Sequence, residues 1–147
     1  MTAVCIDASV ALKWFLREEG SDTAYALLSA ITGQRLRVVA PPQFRSEVAN
    51  ALYQRSRTQR AELRIDSGMA FEAIALFGSF QVETVDTPEL YTTAYQVAQT
   101  YGLRSLYDAL YVAAARIAEC DLWTADERLL TALGGRLSPV RALRDWA

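Results

Sequence analysis

The stretch that decides the fold is Ala3-Val4-Cys5-Ile6-Asp7-Ala8-Ser9, at the amino terminus of a 147-residue chain. A short apolar run that meets a carboxylate reads as a buried strand, with its polar residue where the strand leaves the sheet. The carboxyl ends of the strands are where an open α/β sheet holds its ligands. Three further acids, Glu47, Asp108 and Asp126, are candidates for the same edge.

Outward from that strand, helix and strand alternate. A helix is predicted from Ser9 to Leu16 and another from Thr23 to Ile31, with Gly33 as its stop. Leu36–Ala40 is a second strand, ended by Pro41-Pro42, and a helix over about 43–54 buries Phe44, Val48, Ala51 and Leu52. A helix over about 60–77 then makes an antiparallel hairpin whose tip carries Arg55, Arg57, Arg60 and Arg64. Gln81–Val85 alternates like a strand. Thr87-Pro88 opens a helix to about Gln99, and Ser105 to Glu119 is the most strongly helical stretch. Leu122-Trp123-Thr124 is a strand, Ala125-Asp126-Glu127 opens a helix that ends near Gly134-Gly135, and Val140–Leu143 is an edge strand. The fold class is therefore α/β: a mostly parallel central sheet with helices on both faces and an inserted helical hairpin. Residues 1–147 read as one domain, without repeat or linker.

Composition narrows the chemistry. Apolar residues make up 52% of the chain, but no run reaches the roughly 18–20 residues of a membrane span and no leader-like segment opens the chain, so a cytoplasmic protein is expected. Cys5 and Cys120 lie in or beside apolar segments at spacings that suit neither a disulfide framework nor a metal site, and read as buried thiols. Histidine is absent, which removes the commonest general base and the commonest zinc ligand. What remains for catalysis is carboxylates, hydroxyls, arginines and Lys13, the sole lysine. The net charge of −2 is unlike a dedicated DNA-binding domain, although the arginines of the hairpin form a basic patch. Most of the seven tyrosines, Tyr91, Tyr95 and Tyr101 among them, are expected to pack rather than to stack on bases.

Each acid alone has a structural explanation. Asp7 caps the helix after the first strand, Asp108 stands three residues after Ser105 in a near capping box, Thr124-x-x-Glu127 is a clearer box, and Glu47 reads as solvated. Together the four sit at the same end of their elements, hence at one sheet edge, with Ser9 and Thr124 as supporting hydroxyls. Carboxylates sharing a cleft raise one another's pKa unless a cation neutralises them. An all-oxygen donor set suits Mg2+ or Mn2+, and such an ion acidifies a water and stabilises charge at a phosphodiester. The hairpin arginines then offer a surface to a polyanion.

The sequence Val4-Cys5-Ile6-Asp7-Ala8-Ser9, Glu47 followed by Asn50, the run from Asp108 to Ala115 and Leu122-Trp123-Thr124-Ala125-Asp126 resemble the PIN domain, in particular the VapC toxins of toxin–antitoxin pairs. The tail from Leu137 to Leu143 adds to the likeness. The resemblance implies a Mg2+- or Mn2+-dependent endoribonuclease that leaves a 5′-phosphate and a 3′-hydroxyl and blocks translation, commonly as a homodimer. It also implies a VapB-like antitoxin that inserts a basic side chain among the acids. Asp7, Asp108 and Asp126 are assigned to metal ligation and Glu47 to a second ion or the attacking water. Ser9 and Thr124 are hydrogen-bonding supports, and Asn50 a partner for Glu47. Many relatives have an acid or asparagine where this chain has Arg128, which weakens a second metal site. Trp14 and Phe15 are candidates for partner contact. Two rivals are an aspartyl-phosphate enzyme, for which Ser9 and Lys13 are the wrong residues in the wrong places, and an interaction module whose acidic cleft receives a basic segment. A DNA substrate is a lesser alternative, since telling RNA from DNA requires contact with the 2′-hydroxyl.

Overall fold

The apolar run at the amino terminus forms β1, Thr2–Ile6, whose last three residues are buried. They are covered on both faces, which is why the run does not alternate. The computed structural model describes residues 2–135 and 139–147; Leu137 and Ser138, part of the tail likeness, lie outside them. α1, Ala8–Leu12, is capped by the Asp7 carboxylate. It is shorter than predicted: from Lys13 to Phe15 the amides bond three residues back, and Leu16 closes the segment. α2, Ser21–Ala30, passes through a wide helical turn at 31–35 into β2, Leu36–Ala40.

α3, Phe44–Arg57, and α4, Ser67–Gly78, form the hairpin and pack on each other. The second helix starts seven residues later than predicted. Residues 61–63 form a turn, closed by Leu63 N–H on Arg60 O, Ile65 N–H bonds Arg55 O, and the helix begins only where the Asp66 carboxylate accepts Met69 N–H at 3.2 Å. The predicted strand over 81–85 is reduced to β3, Glu83–Thr84, extended by a bond from Val85 N–H to Ala40 O. α5, Pro88–Tyr101, has proline in its first turn and ends at Gly102, whose φ of 62° suits a residue without a Cβ. α6, Leu106–Ile117, is buried from Ala109 through Ala115, because its small side chains let it approach α5 and the sheet closely. β4, Asp121–Thr124, α7, Glu127–Leu133, and β5, Val140–Ala142, complete the order.

The five strands run in the order β3-β2-β1-β4-β5, and every pairing is parallel. From β1 the chain moves one way to β2 and β3, then returns to the other side of β1 with β4 and β5. Right-handed crossovers therefore put α1–α4 on one face and α5–α7 on the other. α6 lies over β1, β2 and β4, so the core sits under it: burying Leu110 and Val112 there contributes roughly 1.5–3 kcal/mol each. The direction of winding reverses between β1 and β4, and ligands of open α/β sheets bind outside the carboxyl ends of such a pair.

Trp14 and Phe15 turn inward, Trp14 against Phe80 with ring centroids 5.0 Å apart and Phe15 edge-on to Phe77 at 5.9 Å. One side-chain expectation, that of packed tyrosines, changes. Most tyrosines do not pack: Tyr25, Tyr53, Tyr91, Tyr95 and Tyr107 are exposed, and Tyr111 is buried. Both cysteines are free, Cys5 buried and Cys120 half-buried; burial pushes the Cys5 thiol well up and the Cys120 thiol to about 11. No helix among the described residues is long and apolar enough to cross a membrane.

Candidate active site

β1 and β4 end in register, Ile6 opposite Trp123, and the residues just past the end of each strand bond to those of its neighbour. Asp7 N–H reaches Trp123 O at 3.4 Å. The buried Asp7 carboxylate accepts one hydroxyl on each oxygen, Ser9 on Oδ1 and Thr124 on Oδ2, in two short contacts. Those hydroxyls accept in turn: Ser9 Oγ from Ala125 N–H and Thr124 Oγ1 from Asp126 N–H, both at 3.0 Å. Backbone and side chains thus close a ring around the winding reversal, with Asp7 at its centre and Asp126 on its rim. Asp126 Oδ1 caps α7 through Arg128 N–H and Leu129 N–H. Its Oδ2 accepts no hydrogen bond among the described residues.

The other two acids come from the helices that flank this edge. Glu47 stands in the first turn of α3, where its half-buried carboxylate accepts the Tyr111 hydroxyl at 3.1 Å. Asp108 is in the first turn of α6. Gln43, just before α3, ties the two helix starts together by donating to Tyr107 O at 3.0 Å. Its Oε1 is buried without a partner.

The four acids feel one another. Burial pushes Asp7 up to about 6, and the Asp126 charge adds to the rise against the hydroxyl bonds from Ser9 and Thr124. Glu47 is raised by burial, with Asp7 and Asp108 adding to it. Asp108 is raised by burial and by Asp126, and lowered by Arg128. Among the described residues no three acids or thiols stand close enough to hold an ion between them as they are. The donor set nevertheless fits a hard divalent cation. It is all oxygen, Asp126 Oδ2 and both Asp108 oxygens accept no hydrogen bond among the described residues, and the repulsion among the acids is what a cation relieves.

The remaining predicted residues fall elsewhere. Asn50 is exposed, and the partner of Glu47 is Tyr111 instead. Tyr111 escaped sequence reading because it looks like packing; its position one turn after Asp108, on the same face of α6, was the available signal. Lys13 is held by Glu19 O at 2.7 Å and Glu18 at 3.2 Å. Arg55, Arg57, Arg60 and Arg64 gather at the far end of the hairpin, about 15 Å along α3 from Glu47 to Arg57. Arg55 donates to Leu63 O, Arg57 to the Tyr53 hydroxyl, Arg60 to Glu62, and Arg64 to Thr58 O and Gln59 O.

The PIN domain family model matches residues 4–133, most of the chain and every element that carries an acid. The chain belongs to the PIN domain family. PIN domains are typically metal-dependent nucleases and generally use a divalent ion. The crystal structure of PAE2754 from Pyrobaculum aerophilum shares the fold: it superposes with a TM-score of 0.61 at 22% identity, over 97% of this chain and 92% of that one. No curated protein matches the chain. In this PIN domain, the winding reversal, the hydroxyl-clamped Asp7 and the three surrounding acids together form the candidate nuclease centre.

Proposed function

We propose that this PIN domain is a Mg2+- or Mn2+-dependent endoribonuclease, the toxin of a toxin–antitoxin pair, acting in the cytoplasm to stop translation. The observation that carries the nuclease reading is the gathering of Asp7, Glu47, Asp108 and Asp126 at the β1/β4 winding reversal, where burial and neighbouring acids raise the pKa of the first three. The RNA substrate, the homodimer and a VapB-like antitoxin rest on the motif likeness around those acids. In this reading Asp7, Asp108 and Asp126 hold the ion, and Ser9 and Thr124 keep the Asp7 carboxylate fixed. When bound, the ion supplies an acidified water and a sink for the charge that develops at phosphorus.

Glu47 does the proton work. Burial and neighbouring acids raise its pKa, the direction that suits a general base. The Tyr111 hydroxyl occupies Oε2 and leaves Oε1 to take the proton of the attacking water. Water oxygen bonds to phosphorus, the bond from phosphorus to O3′ breaks with its electron pair on O3′, which takes a proton from solvent, and the products are a 3′-hydroxyl and a 5′-phosphate.

One observation favours a second reading. The acids are too spread to be a preformed ion site, as they would be in a module that only receives a basic partner segment. Incubating total cellular RNA with purified protein, with Mg2+ or Mn2+ against chelator, separates the two. Nuclease action predicts discrete products that need the metal and fall at least a hundredfold in Asp7→Asn and in Asp108→Asn. Products that persist in both variants, or appear equally in chelator, would remove these acids from the chemistry.

A further inference from the structure

A pocket of about 430 Å3 opens beside Asp108, between the segment that enters α6 and the exposed side of α7. Arg104, Ser105 and Asp108 line it from one side, Arg128, Leu129 and Ala132 from the other. Its volume lies within the roughly 300–1,000 Å3 of small-ligand sites. Two cations face one carboxylate in its wall, and Arg128 stands near enough to Asp108 to lower its pKa.

Neither guanidinium makes a hydrogen bond or ion pair among the described residues, and Ser105 makes no capping bond with its hydroxyl. Arg35 and Arg116 are equally unpaired among the described residues, but Arg104 and Arg128 come together on one pocket. The hairpin arginines, in contrast, are held by a phenol, a carboxylate and their own backbone carbonyls. Arg17, Arg37, Arg141 and Arg144 are each paired with an acid. Free guanidiniums that converge on a pocket are suited to a bidentate anion, and RNA presents one at every phosphate.

From this we infer that the pocket of Arg104 and Arg128 is the subsite for an RNA phosphate next to the one under attack. The strand then leaves the acidic centre along α6 and α7, away from the hairpin tip. The inference rests on the reading of the chain as an RNA-cleaving enzyme, but the subsite needs no metal and is tested without one.

The probe is a fluorescein-labelled single-stranded oligoribonucleotide, its polarisation measured in chelator over a series of salt concentrations. The Arg104→Gln/Arg128→Gln protein should bind at least tenfold more weakly than wild type. Its salt slope should be smaller by about 0.7, the loss of one phosphate contact on a single strand. The control is Arg35→Gln/Arg116→Gln, which removes the same charge from the opposite edge of the sheet and should change affinity less than twofold. Equal weakening by both double variants reduces the effect to net charge and overturns the subsite; wild-type affinity in the pocket variant does the same. Cleavage that survives with pocket-independent binding overturns the subsite alone. Pocket-dependent binding by a chain that never cleaves overturns the nuclease alone.

Discussion

At the scale of single residues, Asp7 illustrates how a site costs stability. Its carboxylate is 6% exposed, and two hydroxyl bonds do not offset the desolvation, so its pKa rises from 3.8 to about 6. Because the folded value lies above the unfolded one, the folded chain holds the proton more tightly. Stability therefore falls as pH rises from near 4 to near 6 and the contribution levels off above that. The shift is equivalent to about 3 kcal/mol. Asp7→Asn, which keeps the shape and removes the charge, should recover part of this and raise the unfolding midpoint at pH 7, with the gain shrinking toward pH 4. Thermal unfolding at the two pH values checks it, and a variant no more stable than wild type at pH 7 would show that the charge is not strained. Asp7 was visible in the sequence because the strand before it is unmistakable. Its hydroxyl partners were visible as neighbours, but the ring through Ala125 and Asp126 amides was not, since it depends on β1 and β4 being adjacent, 117 residues apart at Asp7 and Thr124.

At the scale of elements, strands and caps were more legible than helix starts. Leu36–Ala40 was read with its boundaries intact, because an apolar run between a glycine and two prolines has little freedom. The hairpin's second helix was not. Ala61, Glu62, Leu63 and Arg64 are good helix formers, yet they form no helix, because Arg55 takes Leu63 O and Asp66 supplies a stronger start one turn further on. The two capping boxes read from Ser105 and Thr124 also failed to form. Thr124 donates to Asp7 and accepts from Asp126, and the cap of α7 is Asp126. The Thr124 hydroxyl is committed to its tertiary partner and does not cap α7. Asp66, which has no such partner, should behave as a local cap: Asp66→Ala should cost about 1 kcal/mol and lower the midpoint by a few degrees, and Asp66→Asn should not. Chemical denaturation resolves a difference of that size, and equal stability of all three proteins would mean that packing against α3 alone sets the start of α4.

At the scale of the molecule, the sheet order turns separate acids into one edge. Sequence reading reached the carboxyl edge from the parallel sheet alone, but only the order β3-β2-β1-β4-β5 puts the winding reversal between the two strands that end in Asp7 and Asp126. Glu47 and Asp108 are brought there by the first turns of α3 and α6, from opposite faces of the sheet. Repulsion across this edge opposes folding, so a cation that binds only the folded chain should stabilise the whole molecule and not a local segment. At a Mg2+ concentration a hundred times its dissociation constant, linkage gives about 2.7 kcal/mol. The urea midpoint should rise with Mg2+ while the slope stays unchanged, since the same surface is exposed on unfolding. Asp108→Asn should lose most of the shift. Lowering the pH below about 6 should also erase it in the wild type, because Asp7 must release its proton to bind a cation. A Mg2+ shift that survives in Asp108→Asn and at pH 5 would mean that the ion binds away from this edge and that the acids gather for another partner.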